Sequence, residues 1–210
     1  MQNIKIIAHR GFWKIESEKN TMLALERAIE NGFGFETDLR DYAGKLVISH
    51  NPPCGNEITV ESVFKLYSQK QADAMLALNI KADGLQEMVK ELLDRYSIDN
   101  YFFFDMSVCD TIPYISQKLK IASRRSEYEA ELPFYKDSTT VWLDFFMNDS
   151  LVVTETHKYL EDGRAVCVVS PELHGRDYRY VWNQLKNMNN PYLYLCTDYP
   201  EEAYKFFNEQ

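Results

Sequence analysis

The sequence predicts an α/β fold, a single-domain (βα)8 barrel of the TIM type without a large insertion. Three observations carry that expectation. Short apolar runs rich in β-formers alternate with longer amphipathic stretches from end to end, the pattern of parallel strands crossed over by helices. Eight such pairs fit into 210 residues. No Pro-rich or Ser/Gly-rich linker and no internal repeat divides the chain, so one domain spans residues 1–210. That fold usually takes about 250 residues, which leaves no room here for a large insertion.

The strands in order are Ile4–Ala8, Gly34–Leu39, Met75–Ile80, Tyr101–Asp105, Lys120–Ser123, Val141–Asp144, Ala165–Ser170 and Tyr192–Thr197. The helices between them are Thr21–Asn31, Thr59–Ser68, Leu85–Tyr96, Thr111–Lys118, Glu127–Glu131, Leu151–Glu161, Tyr178–Met188 and Pro200–Phe207. Asn20, Thr59 with Glu57 nearby, and Asp149 or Ser150 suit N-terminal caps, and Pro200 suits a first turn. Gly32 and Gly163 fall just past helix ends, where a positive φ is needed. An open doubly wound sheet is the alternative, weakened because no Gly-rich phosphate loop follows the first strand.

Composition narrows the function. With 23 Lys and Arg against 32 Asp and Glu, the net charge of −9 repels polyanions, so nucleic acid is a poor partner. No window reaches the roughly 18 apolar residues of a membrane span. The start of the chain lacks a charged head followed by an apolar stretch, so a cytoplasmic protein is expected. Cys54, Cys109, Cys167 and Cys196 show no CxxC spacing and read as reduced, the last two as small buried hydrophobes.

In such a barrel the working residues lie at the carboxyl ends of the strands. Strand one ends in His9-Arg10-Gly11 and strand two carries Glu36-Thr37-Asp38. A short run, Lys45–Ser49, follows the Gly44 turn and ends in His50, and strand three ends in Asn79-Ile80-Lys81. Period-two alternation puts Glu36 with Asp38, and Asn79 with Lys81, on common faces. Two carboxylates and an amide oxygen form a hard-oxygen set suited to one Mg²⁺ or Ca²⁺ ion. Two imidazoles can exchange protons near neutral pH, and Arg10 with Lys81 supplies fixed positive charge for an anionic substrate. Together these point to metal-assisted phosphoester chemistry. Taken singly, a histidine at a strand end is more often a surface residue and a Glu-x-Asp pair simply solvated; their joint occurrence on successive strand ends is the signal.

These residues resemble the glycerophosphodiester phosphodiesterase family. The landmarks in order are His9-Arg10-Gly11, Asn20-Thr21, Glu36-Thr37-Asp38-Leu39, Gly44 through His50, Asn79-Ile80-Lys81 and Thr197-Asp198-Tyr199-Pro200. The resemblance implies a TIM barrel, a divalent metal on Glu36 and Asp38, and His9 with His50 as the acid/base pair. Sphingomyelinase D-type phospholipases share this layout. Three positions depart from the family pattern. Asn79 stands where a Glu is usual, Glu18-Lys19 replaces Pro-Glu before Asn20, and the segment after His50, Asn51 to Asn56, is short.

Further round the rim, Arg124, Trp142, Asp144 and Glu172 are substrate-binding candidates, with Asp105, Ser170 and His174 beside them. Trp142 and Asp144 share parity, and an aromatic face beside a carboxylate suits a cationic or hydroxyl-rich head group; the competing reading makes Trp142 core and Asp144 a helix cap. Arg124 next to Arg125 reads either as a grip on a second phosphate or as a solvated turn. Asp105 is a candidate to replace the carboxylate missing at Asn79. The expected activity is hydrolysis of a glycerophosphodiester or similar small phosphodiester to a phosphomonoester and an alcohol. The alternatives are a barrel that binds such a ligand without turning it over, and a lyase that releases a cyclic phosphate.

Overall fold

The computed structural model describes residues 4–188 and 190–208. Among these residues eight parallel strands form the wall: β1 (Lys5–Ala8), β2 (Gly34–Tyr42), β4 (Leu76–Ile80), β5 (Tyr101–Phe104), β6 (Ala122–Arg125), β7 (Thr140–Leu143), β8 (Ala165–Val169) and β9 (Leu193–Thr197). A ninth, β3 (Lys45–Ile48), absent from the expected strands, pairs antiparallel with the far end of β2 across the Gly44 turn. The hydrogen-bonded order is β5-β4-β2-β1-β9-β8-β7-β6. Between β5 and β6 one parallel bridge, Phe103 to Ile121, brings the wall round, with the Phe103 N–H donating to the Lys120 carbonyl at 2.9 Å.

Among the described residues seven α-helices cover the outside: α1 (Met22–Glu30), α2 (Val60–Gln69), α3 (Gln86–Tyr96), α4 (Val108–Ser116), α5 (Val152–Glu161), α6 (Arg179–Leu185) and α7 (Pro200–Asn208). Their apolar faces pack on the outward side chains of the strands, Phe35, Leu78, Phe103 and Val168 among them. Inside the barrel lies a second, smaller cluster of Ile7, Ala77, Phe102, Phe104, Trp142, Cys167 and Cys196. Both internal cysteines are free and buried, as the sequence predicts.

The expected fifth helix, Glu127–Glu131, is instead a tight turn closed by an antiparallel bridge from Ser126 to Glu129. Its acidic side chains serve tertiary contacts: Glu127 accepts from the N–H groups of Phe146 and Met147 at 2.9 and 2.6 Å. Several boundaries move. β6 begins two residues later than expected, β7 one earlier, and α4 starts at Val108 because Ser107 caps it, accepting from the Asp110 N–H at 3.2 Å. Thr21 rather than Asn20 caps α1, and α5 begins without a side-chain cap. Gly32 and Gly163 do take positive φ, 71° and 76°. No helix among the described residues is long and apolar enough to cross a membrane.

Candidate active site

The His9-Arg10-Gly11 turn sets the first part of the site. Gly11 has φ +85°, and a Cβ there would stand 2.8 Å from the Ala24 carbonyl carbon, so only glycine lets the chain leave β1 this tightly against α1. Arg10 itself is held at φ 55°, an uncommon region for a residue with a Cβ. That conformation aims its backbone N–H at Glu36 Oε2, 3.2 Å away, and brings its Nε within 3.3 Å of Asp38 Oδ2.

Glu36 and Asp38 project into the barrel from β2, each almost wholly buried. Burial, with the neighbouring Asp38 charge second, pushes the Glu36 carboxyl well above the ordinary range. Asp38 is ringed by donors. Asn20 Nδ2 donates to its Oδ2 at 2.8 Å, and Lys81 Nζ lies 3.4 Å from its Oδ1. Asn20, also left-handed at φ 61°, accepts from Thr37 Oγ1 at 2.8 Å through its own oxygen. Asn79 is the neighbour of Asp38 in the β2–β4 register. Asp38 Oδ1 and Asn79 Oδ1 are both buried and without a hydrogen-bond partner, two hard oxygens with unused lone pairs.

His9 is braced between two carboxylates. Its Nδ1 lies 2.7 Å from Asp198 Oδ1, and its Nε2 lies 3.9 Å from Glu36 Oε2. Asp198 follows β9 directly, and β9 pairs with β1. Its backbone N–H donates to Glu172 Oε1 at 3.2 Å, and Glu172 also accepts from the hydroxyls of Ser170 and Thr197. Burial raises the Glu172 carboxyl above the ordinary range against these donors. The structure therefore places Glu172 behind the end of β9, its oxygens occupied, and not as a free substrate ligand. Sequence reasoning counted Thr197-Asp198-Tyr199-Pro200 among the landmarks of the resemblance but assigned Asp198 no role of its own.

The remaining nominated residues divide. His50 is exposed at the rim with Nδ1 3.0 Å from Asn51 Oδ1, and it bonds to none of the other nominated side chains. It stays beside the site through the chain: the Ser49 N–H donates to the Asp38 carbonyl at 2.9 Å. Arg124 is no solvated turn. Its Nε and Nη2 engage Glu129 at 2.7 and 3.1 Å, and Nη1 meets Asp105 Oδ1 at 3.1 Å. Lys81 Nζ reaches the other Asp105 oxygen at 4.0 Å, which links this network to Asp38. Trp142 belongs to the inner core, 4 % exposed and stacked on Phe104 at 4.1 Å between centroids, so it offers no open aromatic face. Asp144 lies 2.7 Å from His174 Nε2, a pairing that replaces the helix-cap reading. Lys19, where the family pattern has Glu, sits over the Trp13 ring at 4.4 Å and 3.9 Å from Asp198 Oδ2.

Comparison with solved structures follows the same lines. A glycerophosphodiester phosphodiesterase from Parabacteroides distasonis superposes with TM-score 0.71 at 20 % identity, covering 98 % of this chain and 97 % of that one. A Galdieria sulphuraria protein provisionally given the same name reaches TM-score 0.78 at 18 % identity, over 100 % of both chains. An Oleispira antarctica phosphodiesterase, solved with its product sn-glycerol-3-phosphate, gives TM-score 0.71 at 15 % identity, covering 99 % and 98 %. A scan of protein-family models and a search of curated proteins gave no match. At these identities the likeness establishes the architecture: this chain has the TIM-barrel fold of the glycerophosphodiester phosphodiesterase structures, end to end.

Proposed function

We propose that the protein is a phosphoric diester hydrolase that cleaves a glycerophosphodiester or similar small phosphodiester to a phosphomonoester and an alcohol. The observation that carries this reading is the His9 imidazole, oriented by Asp198 at one nitrogen, with the other turned toward the buried Glu36 and the Arg10–Asp38–Lys81 cluster.

A carboxylate at Nδ1 favours the tautomer with its proton there, which leaves Nε2 free to take or give a proton. In hydrolysis a water oxygen bonds to phosphorus and surrenders a proton to one imidazole; where a neighbouring substrate hydroxyl attacks first, the cyclic phosphate it forms is opened by water in a second step. The bond from phosphorus to the departing alcohol breaks, and that oxygen takes a proton from the other imidazole. His9 fills one of these roles and His50, at the end of β3, the other. Arg10 and Lys81 hold the phosphoryl oxygens and offset the charge that builds on them.

The donor set also fits a hard divalent cation, Mg²⁺ or Ca²⁺. Glu36 and Asp38 are carboxylates buried side by side, and Asp38 Oδ1, whose close cation is Lys81 at 3.4 Å, and the unpartnered Asn79 Oδ1 lie on adjacent strands. Among the described residues no group of three His, Cys, Asp or Glu side chains is set as a metal cluster, so the Asn79 amide would complete the set. Bound there, the ion would polarise the phosphoryl group as a Lewis acid.

A second reading, a barrel that binds a phosphodiester without turnover, is favoured by one observation. The Lys81 ammonium lies 3.4 Å from the same Asp38 oxygen that a metal would need. Release of alcohol from soluble glycerophosphodiesters, measured with Mg²⁺, Ca²⁺ or chelator for the wild type and for His9→Ala and His50→Ala, separates the two. Turnover that requires the metal and both imidazoles supports the hydrolase. Binding of the phosphodiester without turnover under any of these conditions supports the binder.

A further inference from the structure

A cavity of about 540 Å³ opens beside the phosphate-binding side chains, between the carboxyl ends of β4, β5 and β6. It shares Lys81 and Asp105 with the network already described, so a group esterified to a phosphate held by Arg10 and Lys81 can reach it without crossing a wall. Its volume lies within the range of small-molecule sites, roughly 300 to 1,000 Å³. A three-carbon alcohol would leave most of it empty.

The lining selects among head groups by charge. Lys81 and Arg124 offset two of the three carboxylates that line it, and Phe134 is its one aromatic ring among the described residues, so no aromatic cage for a quaternary ammonium is present. Asp83, Asp105 and Glu129 line it too, which opposes a second phosphate. Five charged side chains exclude an acyl chain. Donors and acceptors that alternate around one cavity suit a neutral group whose every hydroxyl both donates and accepts. Two of these carboxylates are fixed before any ligand arrives, because Arg124 grips Glu129 through two nitrogens and Asp105 through a third. Apolar side chains, Met106, Ile121 and Phe134, supply a face for ring carbons.

The geometry points to a subsite for a six-carbon polyol, a cyclitol or hexose, as the alcohol on the Lys81 side of the phosphate. This inference rests on the phosphodiester reading and names its substrate class. Glu129 and Val108 are its specificity-determining residues: Glu129 holds the Arg124 fork, and Val108, 61 % exposed, stands at the mouth where a larger side chain would fill the entrance.

The test is calorimetric titration of myo-inositol 1-phosphate and of phosphocholine, two phosphomonoesters with the same anchor, into the wild type, Glu129→Ala and Val108→Trp. We expect the inositol ester to bind about tenfold or more tighter than phosphocholine, as a site built for hydroxyls discriminates. Both variants, checked as folded by circular dichroism, should lose that advantage. Equal binding, tighter phosphocholine, no binding of either, or an advantage that survives in both variants would overturn the subsite. Turnover of glycerophosphoinositol and glycerophosphocholine tells this failure from that of the hydrolase. A binding preference with no turnover of either keeps the subsite and removes the enzyme; equal turnover with no preference keeps the enzyme and removes the subsite.

Discussion

Asp198 Oδ1 lies 2.7 Å from His9 Nδ1, so the last strand of the barrel orients the imidazole presented by the first. An amide at position 198 would keep the shape but lose the charge and the tautomer preference. For Asp198→Asn we expect kcat to fall by about 10²- to 10⁴-fold with little change in KM, by analogy with the loss of an orienting carboxylate in other acid/base sites. Steady-state hydrolysis of glycerophosphoglycerol with Mg²⁺ measures it; a kcat within a factor of two of wild type would show that His9 does not depend on this partner.

Glu172 braces that same corner, and its titration gives a pH signature. Burial lifts its carboxyl above the unfolded value, so the folded chain holds this proton more tightly than the unfolded chain does. The group's contribution to stability is therefore fully present below the unfolded pKa and is lost as pH rises through the folded one. Glu172→Gln does not titrate. Its Tm relative to wild type should rise between about pH 4 and pH 7. Thermal unfolding monitored by circular dichroism across that range checks the sign, and a difference that shrinks with pH refutes the assignment.

Trp142 fills the barrel under the mouth, face to face with Phe104. Trp142→Ala should destabilise the fold by about 3–5 kcal/mol, as large-to-small changes in aromatic cores do. Trp142→Phe should lower Tm yet leave the ratio of kcat/KM for choline and glycerol head groups unchanged. A changed ratio would put the indole in contact with substrate.

Gly11 is conformationally locked, with φ +85° and Ala24 backbone where a Cβ would go. Gly11→Ala should cost about 2 kcal/mol or more through strain and contact. Because Arg10 and His9 precede it in the same turn, activity should fall further than stability alone explains. Denaturant unfolding and kcat/KM on the residual folded protein separate the two effects.

Much of this was legible in the sequence, for a physical reason in each case. Strand ends that carry His9, Glu36, Asp38 and Lys81 sit in apolar runs with period two, and parity alone puts their side chains inside. Glu127 and Glu129 misled because an acidic stretch between apolar runs looks like an exposed helix. Here the two carboxylates are spent on the backbone of the β7 loop and on the Arg124 fork. Trp142 and Asp144 do share a face, but the inward face is core at one level and rim at the next, which parity cannot tell apart. The contacts of Asp198 and Glu172, rather than the residues, were hidden for another reason. They depend on β9 lying between β8 and β1, so that residues far apart in the chain meet at one corner.

Asn79 is the position at which the site departs from the resemblance, and its surroundings say what restoring a carboxylate would do. Its oxygen is buried, unpartnered and level with Asp38, so Asn79→Glu places a third acidic group beside two that already crowd each other. Without metal that adds repulsion in a low-dielectric site, and the apo Tm should drop. With metal the extra charge should tighten binding by about tenfold or more, since the charge count of an oxygen site sets its affinity. Calorimetric titration of Mg²⁺ and Ca²⁺ into wild type and variant, paired with Tm with and without each ion, reads both effects. A variant that binds no tighter and melts no lower would mean that Asn79 does not face the site that holds the cation.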